Sequence, residues 1–209
     1  MKIDIWSDFV CPFCYIGKRH IEEATKGMED VTFEYHSYEL DPTAPEKYDG
    51  SMQEYFAKTK GMSTAQADEM FGQVTTMAKN AGLDYHYEKV QHGNTVKPHR
   101  LFQYAKTQDK GTEFMEVAKE AYFINGEWLN DDNTLLALAE KIGLDKETSA
   151  KVLQSNDYLE AMQEDVAAAQ QIGVQGVPFF VIDGKYGVSG AQPVETFKQV
   201  LKEIQEQDA

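Results

Sequence analysis

A β-α-β run opens this chain and a β-β-α run closes it, with about 130 residues of helical pattern between them. No other feature constrains the fold as tightly. Ile3-Asp4-Ile5-Trp6 alternates as a strand does, Ile16, Ile21 and Ala24 recur at helical spacing, and Val31-Thr32-Phe33-Glu34-Tyr35-His36 is β-branched and aromatic at alternating positions. The helix between these strands makes them parallel neighbours. At the far end Pro178-Phe179-Phe180-Val181-Ile182 is a short apolar strand, Asp183-Gly184 a hairpin turn, and Lys185-Tyr186-Gly187-Val188-Ser189 the return strand. Pro193 then opens a helix whose apolar face is Val194, Phe197, Val200, Leu201 and Ile204. Each piece is too small to bury a core alone, so the two are expected to share one sheet.

Glu, Lys, Gln, Ala, Met and Leu dominate residues 41 to 170. Ser63-Thr64-Ala65-Gln66 reads as a capping box opening a helix that ends near Gly82. Helical periodicity returns at Val96–Thr107, Thr112–Ile124, Asn133–Ile142, Lys146–Leu153 and Tyr158–Ile172, with Asp132 and Asp145 as N-caps and Gly143 as a C-cap. Leu83 to His92 fits no regular element. The division that follows is a discontinuous α/β domain, 1–40 with 173–209, and a helical insertion, 41–172.

Only two cysteines occur, Cys11 and Cys14, in the run Cys11-Pro12-Phe13-Cys14 at the first strand-to-helix junction. Pro12 suits a first helical turn, which puts Cys11 at the helix N-terminus, where free N–H groups and the dipole favour a thiolate. Cys14 falls on the same face and within reach of a disulfide. The chain begins Met1-Lys2-Ile3-Asp4 and runs straight into the strand, with no signal peptide and no transmembrane run, so a cytoplasmic location is expected. There a structural disulfide is unfavoured, and redox chemistry is the reading of the pair. Zinc would need two of His20, His36, His86, His92 and His99, whose spacings match no finger, so neither metal nor cofactor is expected. Twenty basic against 35 acidic residues, a net charge of −15, argues against nucleic acid and anionic membranes as partners.

Three segments resemble the DsbA family of thioredoxin-fold oxidoreductases, in particular its FrnE-like branch: Ser7-Asp8-Phe9-Val10-Cys11-Pro12-Phe13-Cys14-Tyr15-Ile16-Gly17; Asn94-Thr95-Val96-Lys97-Pro98-His99-Arg100-Leu101; and Gly173 to Ile182 with Gly176-Val177-Pro178, continuing to Ser189-Gly190-Ala191-Gln192-Pro193. The resemblance implies an α/β thioredoxin-like fold with a large all-helical insertion, and a thiol–disulfide oxidoreductase or isomerase. It implies Cys11 as nucleophile and Cys14 as resolving thiol, with Pro12, Phe13, Val177 and Pro178 meeting the substrate. It also implies a cis Val177–Pro178 bond that bares the Val177 backbone to an extended substrate. Phe9, Phe13 and Tyr15 are expected to form an apolar rim. Tyr35, Tyr38, Tyr85, Tyr87 and Tyr104 are expected in the packing, with His99 and Arg100 docking the insertion and Asn94-Thr95 capping its helix.

Two departures from the family pattern stand out. Ile5 occupies the position, six residues before the first cysteine, where many thioredoxin-fold enzymes carry a buried carboxylate. Phe13 stands where strongly oxidising DsbA proteins have His, so a less depressed Cys11 and a less oxidising couple are expected. Expected partners are protein or small-molecule thiols and disulfides, glutathione among them. Two rival readings carry weight. One is a glutathione-dependent transferase or isomerase of the kappa or 2-hydroxychromene-2-carboxylate isomerase type, families with Ser where Cys11 stands. The other is a non-enzymatic redox-sensing or chaperone-like module.

Overall fold

The computed structural model describes residues 1–207. Its four-stranded sheet has the order β2-β1-β3-β4: β1 (Lys2–Ser7) pairs in parallel with β2 (Thr32–Ser37) and antiparallel with β3 (Phe179–Ile182), which pairs antiparallel with β4 (Tyr186–Ser189). The two ends of the chain thus meet in one sheet, with β1 at the centre of the join. The β3–β4 hairpin turns at Asp183 (φ 49°) and Gly184 (φ 67°), the central residues of a β-turn that the Lys185 N–H closes on the Ile182 carbonyl at 3.1 Å. Asp183 also ties the hairpin to β1, its carboxylate accepting from the Lys2 backbone N–H at 2.6 Å.

Alternation along β1 sends Ile3 and Ile5 to one face, where Tyr35, Phe180 and Ile182 join them under α1 (Pro12–Ala24) and α9 (Val194–Gln207). Phe180 packs edge-on against Phe197 of α9 at 4.9 Å. The other face carries Trp6, stacked 4.5 Å from His36, with Phe179, Val181 and Ala169 of α8 (Leu159–Gln171).

Between β2 and β3 lie α2 (Met52–Lys60), α3 (Thr64–Asn80), α4 (Val96–Thr107), α5 (Gly111–Glu120), α6 (Asp132–Lys141), α7 (Lys146–Gln154) and α8. The Ser63–Gln66 capping box is present, and Asp145 caps α7 through the Thr148 N–H. α6 is capped by Asp131, not Asp132; of two adjacent aspartates, the one with extended φ/ψ accepts the Thr134 N–H. The Thr112–Ile124 pattern divides into α5 and a π-helical turn at Ala121–Asn125, closed by Gly126 at φ 70°. α2 also has a full capping box, Ser51 with Glu54.

The helical block docks on the sheet through directional polar contacts as well as apolar ones. On α1, Arg19 clasps Glu116 of α5 with both guanidinium nitrogens. Lys18 joins at 2.7 Å and the Tyr15 hydroxyl donates at 2.7 Å. Burial alone would raise the Glu116 pKa, but Arg19, Lys18 and Tyr15 outweigh it and bring it down to about 2 from an ordinary 4.5. A carboxylate depressed on folding stabilises the fold above its unfolded pKa, and that contribution is lost as pH falls toward its folded pKa. Glu116→Gln should therefore flatten the decline of stability between pH 4.5 and about 2, read as urea midpoints at several pH values. An unchanged slope in the variant would show that the clasp contributes nothing.

Candidate active site

Cys11 is the N-cap of α1 with extended dihedrals (φ −83°, ψ 113°), and Pro12 follows as the first helical residue. The Cys14 N–H donates to the Cys11 carbonyl at 3.1 Å, which holds the two cysteines within one turn. Both are free thiols, 1% and 2% exposed. Opposite them runs the 173–178 segment. The Val177–Pro178 bond is cis, and the Cys11 thiol faces the Val177 carbonyl at 3.4 Å, its one S–H shared between that oxygen and the Cys14 sulfur. Gly17 makes this approach possible: a Cβ there would stand 3.0 Å from the Pro178 ring and 3.3 Å from Phe180.

Beside Cys11 opens a mostly apolar cavity of about 340 Å³. Cys11, Pro12, Phe13 and Val177 line one side; Met52, Tyr55 and Phe56 of α2 and Phe71 and Val74 of α3 line the other. Cys14 does not reach it, and neither does Pro178, which is buried beneath α1. Of the expected aromatic rim only Phe13, 39% exposed, is in place. Phe9 is fully buried against His99 (4.7 Å) and Phe114 (5.8 Å), because the loop before α1 points it into the helical block. Tyr15 is buried by its bond to Glu116. Tyr85 and Tyr87, read from sequence as packing residues, flank the site: the Tyr85 hydroxyl donates to the Pro12 carbonyl at 2.7 Å, and Tyr87 lines the cavity.

Asp8 and Lys119 sit behind the cysteines. Asp8 is fully buried, and its carboxylate takes the Phe9 N–H (2.8 Å), the Leu40 N–H (2.8 Å) and His99 Nε2 (2.9 Å). Burial works against this charge, but His99, the Leu40 N–H and the Thr95 hydroxyl outweigh it and hold the carboxyl below its usual range. Lys119 of α5 is fully buried too, and its ammonium donates to the Asp8 carbonyl oxygen at 2.6 Å. Arg100 docks on carbonyls rather than on a carboxylate: Val152, Ser155 and Asp157, at and just beyond the C-terminus of α7. Thr95 is the N-cap residue of α4 but makes no side-chain capping bond; Asn94 Oδ1 takes the Val96 N–H at 3.3 Å.

The two thiols titrate as a pair, and the lowered member is Cys14 rather than Cys11. The hydrogen bond that Cys11 gives to Cys14, together with burial and the charge of its neighbour, pushes the Cys11 thiol well up. Burial also opposes charge on Cys14, but the Cys11 thiol, the Lys119 cation and the Asp8 N–H overcome it. The N-terminus of α1 favours charge on Cys11, and the donors around the inner sulfur compete with it for the charge the pair shares.

The three-dimensional arrangement is that of a thioredoxin-fold protein with its cysteine pair at the start of the first helix and a helical block over it. Residues 2–202 match the model of the DSBA-like thioredoxin domain, and the chain belongs to that family. It is 35% identical to the probable DsbA oxidoreductase of Streptomyces coelicolor, with a TM-score of 0.92 over 97% of this chain and 89% of that one. It is 28% identical to the uncharacterized protein YwbO of Bacillus subtilis over 98% of both chains. A 2-hydroxychromene-2-carboxylate isomerase shares the fold, with a TM-score of 0.75 at 19% identity over 100% of this chain and 98% of that one. The expected α/β thioredoxin-like fold with its helical insertion is borne out. Among the described residues no helix is long and apolar enough to cross a membrane.

Thiolate absorbance followed against pH should show one midpoint below the ordinary cysteine range and a second well above it. Cys11→Ala should raise the remaining Cys14 midpoint, because it removes the thiol donor. Two independent midpoints near 8.5, the value of an isolated cysteine, would contradict the coupling.

Proposed function

We propose that this chain is a dithiol–disulfide exchange enzyme of the FrnE-like type, working through Cys11 and Cys14 on protein or small-molecule disulfides, glutathione disulfide among them. The supporting observation is the asymmetry of the pair: Cys11 borders the cavity while Cys14 lies behind it against Asp8 and Lys119. A substrate disulfide entering the cavity meets Cys11 first. The proton shared between the two sulfurs shifts to Cys14 as the Cys11 sulfur attacks. One substrate sulfur bonds to Cys11 and the other leaves with the electron pair. Cys14, deprotonated in turn, attacks the Cys11 sulfur and expels the second substrate sulfur, which takes up the proton. Cys11–Cys14 ends oxidised and the substrate reduced by two electrons; the reverse sequence oxidises a dithiol.

In this reading Pro12, Phe13 and Val177 contact the substrate directly, and Pro178 shapes the Val177 turn from below. The Val177 carbonyl is free to pair with a substrate backbone once Cys11 no longer donates to it. The functional division follows the sequence, with residues 1–40 and 173–209 carrying the thiol chemistry and 41–172 forming the far wall of the cavity. A cytoplasmic, reducing setting suits a buried pair without a His between its cysteines.

Dithiothreitol-coupled insulin reduction tests the proposal. The wild-type protein should accelerate it, and Cys11→Ser should return it to the uncatalysed rate. Cys14→Ser should accumulate mixed disulfides on Cys11 that mass spectrometry identifies. Absence of turnover and adducts would overturn the proposal. Glutathione conjugation that survives Cys14→Ser would favour the transferase reading instead. Suppression of aggregation that survives Cys11→Ser, without turnover, would favour a binding module.

A further inference from the structure

A lysine with no exposed surface is rare unless something answers its charge, because a buried ammonium costs several kcal/mol without compensation. Lys119 is 0% exposed. Its ammonium donates to the Asp8 carbonyl at 2.6 Å. Its ammonium also lies 5.2 Å from the centre of the Phe9 ring, whose face welcomes a cation. Neither neighbour carries a formal charge at the contacting atom. The charged or ionisable groups near it are Asp8, Cys11, Cys14 and Lys18. Of these the Asp8 carboxylate is already occupied by His99 and two backbone N–H groups. Burial pulls the Lys119 pKa down, and the Cys14 sulfur is the strongest influence holding it up. Ile5 leaves β1 without a carboxylate six residues before Cys11.

We infer that Lys119 is a positioning residue for the resolving step, an ammonium that holds the Cys14 sulfur as a thiolate while Cys11 is tied up with substrate. This inference rests on the disulfide-exchange reading above. Once Cys11 is in a mixed disulfide it has no S–H to donate, so Cys14 loses the first of its stabilising partners. Lys119 and the Asp8 N–H remain, and only Lys119 is a cation. In the step itself the Cys14 thiolate forms a bond to the Cys11 sulfur as the Cys11–substrate bond breaks. The electron pair leaves with the substrate sulfur, which takes the proton Cys14 lost. Lys119 stays protonated throughout.

The reaction of the reduced protein with 5,5′-dithiobis(2-nitrobenzoic acid) separates the two steps. Attack by Cys11 releases one coloured thiolate, and resolution by Cys14 releases the second. Replacing the cation with the similarly sized, uncharged Lys119→Met should raise the pH midpoint of the second phase by about one unit, a tenfold smaller thiolate fraction below the midpoint. Thiolate nucleophilicity rises with pKa at a Brønsted slope near 0.4–0.5, so the net loss in second-phase rate at neutral pH should be about threefold. Above both midpoints the same slope makes the variant about threefold faster. This crossing of the two pH profiles is not expected from a space-filling role. Lys119→Arg, which keeps the charge, should restore the wild-type midpoint.

Should the variants fail to fold, the wild-type protein still decides the matter. The Lys119 side-chain carbon resonances should shift in step with thiolate absorbance, and that step should vanish in Cys14→Ser. A folded Lys119→Met with an unmoved second-phase midpoint, or lysine resonances indifferent to Cys14 ionisation, would overturn the inference. A wild-type protein that shows no second phase at all would instead overturn the exchange reading on which it rests.

Discussion

Asp8 is the residue on which the rest of this structure hangs. It stands between β1 and α1, three residues before Cys11, with no exposed surface. Its carboxylate gathers the Phe9 N–H, the Leu40 N–H and the His99 ring; its carbonyl takes the Lys119 ammonium; its N–H supports the Cys14 sulfur. One residue therefore joins the cysteine loop, the exit from β2, α4 and α5. A buried carboxylate tolerates burial only with all its lone pairs engaged, so the four segments are bound to one another's placement. Removing one partner would leave a charge in an apolar interior, the costliest defect a core can hold.

The sheet was legible because its two halves carry period-2 alternation and an Asp-Gly turn, and neither half could bury itself. Long helices with strong periodicity, such as Val96–Thr107, were legible for the same local reasons. The readings that went astray depend on direction in space. Phe9 and Tyr15 flank the cysteines in sequence, and sequence proximity suggested a rim; the helix and the loop before it turn both inward. Lys119 lies in Glu113–Glu120 among three glutamates, with no local pattern that marks it as buried; the packing of α5 under the cysteine loop buries it. α2 did have a local signal, Ser51 followed by Glu54, but at nine residues its periodicity was too short to stand out beside the Gly, Pro and Asp around it.

The cysteine chemistry shows the same limit. Helix position alone assigns the thiolate to the N-cap sulfur, because that is where the backbone donors point. The structure supplies a second set of stabilising groups deeper in, from the loop and α5, and they act on Cys14. The outer sulfur is left in contact with the cavity and with the Val177 carbonyl. Access and charge stabilisation are thereby divided between two atoms one helical turn apart. In the proposed exchange, charge passes outward between the sulfurs when a substrate arrives and returns inward when it must be displaced.

Two helices of the inserted block make this division possible, each by a pair of polar contacts at helical spacing. α5 carries Glu116 to Arg19 and Lys18 of α1, and one turn later Lys119 to Asp8. α4 carries His99 to Asp8 and, one turn later, Gln103 to Ser37 at 2.8 Å and to Asp165 of α8. Residues three or four apart share one helix face, so each pair fixes both the rotation of its helix and its height along the sheet. Apolar packing alone would hold these helices against the sheet but would accept a shifted register at modest cost, since methyl groups fit many neighbours. Hydrogen bonds to buried charges do not accept it, because a shift of one turn strands them. The polar contacts therefore set the geometry that brings Lys119 to the Asp8 carbonyl beneath the cysteine loop, and the apolar core supplies most of the stability that keeps it there.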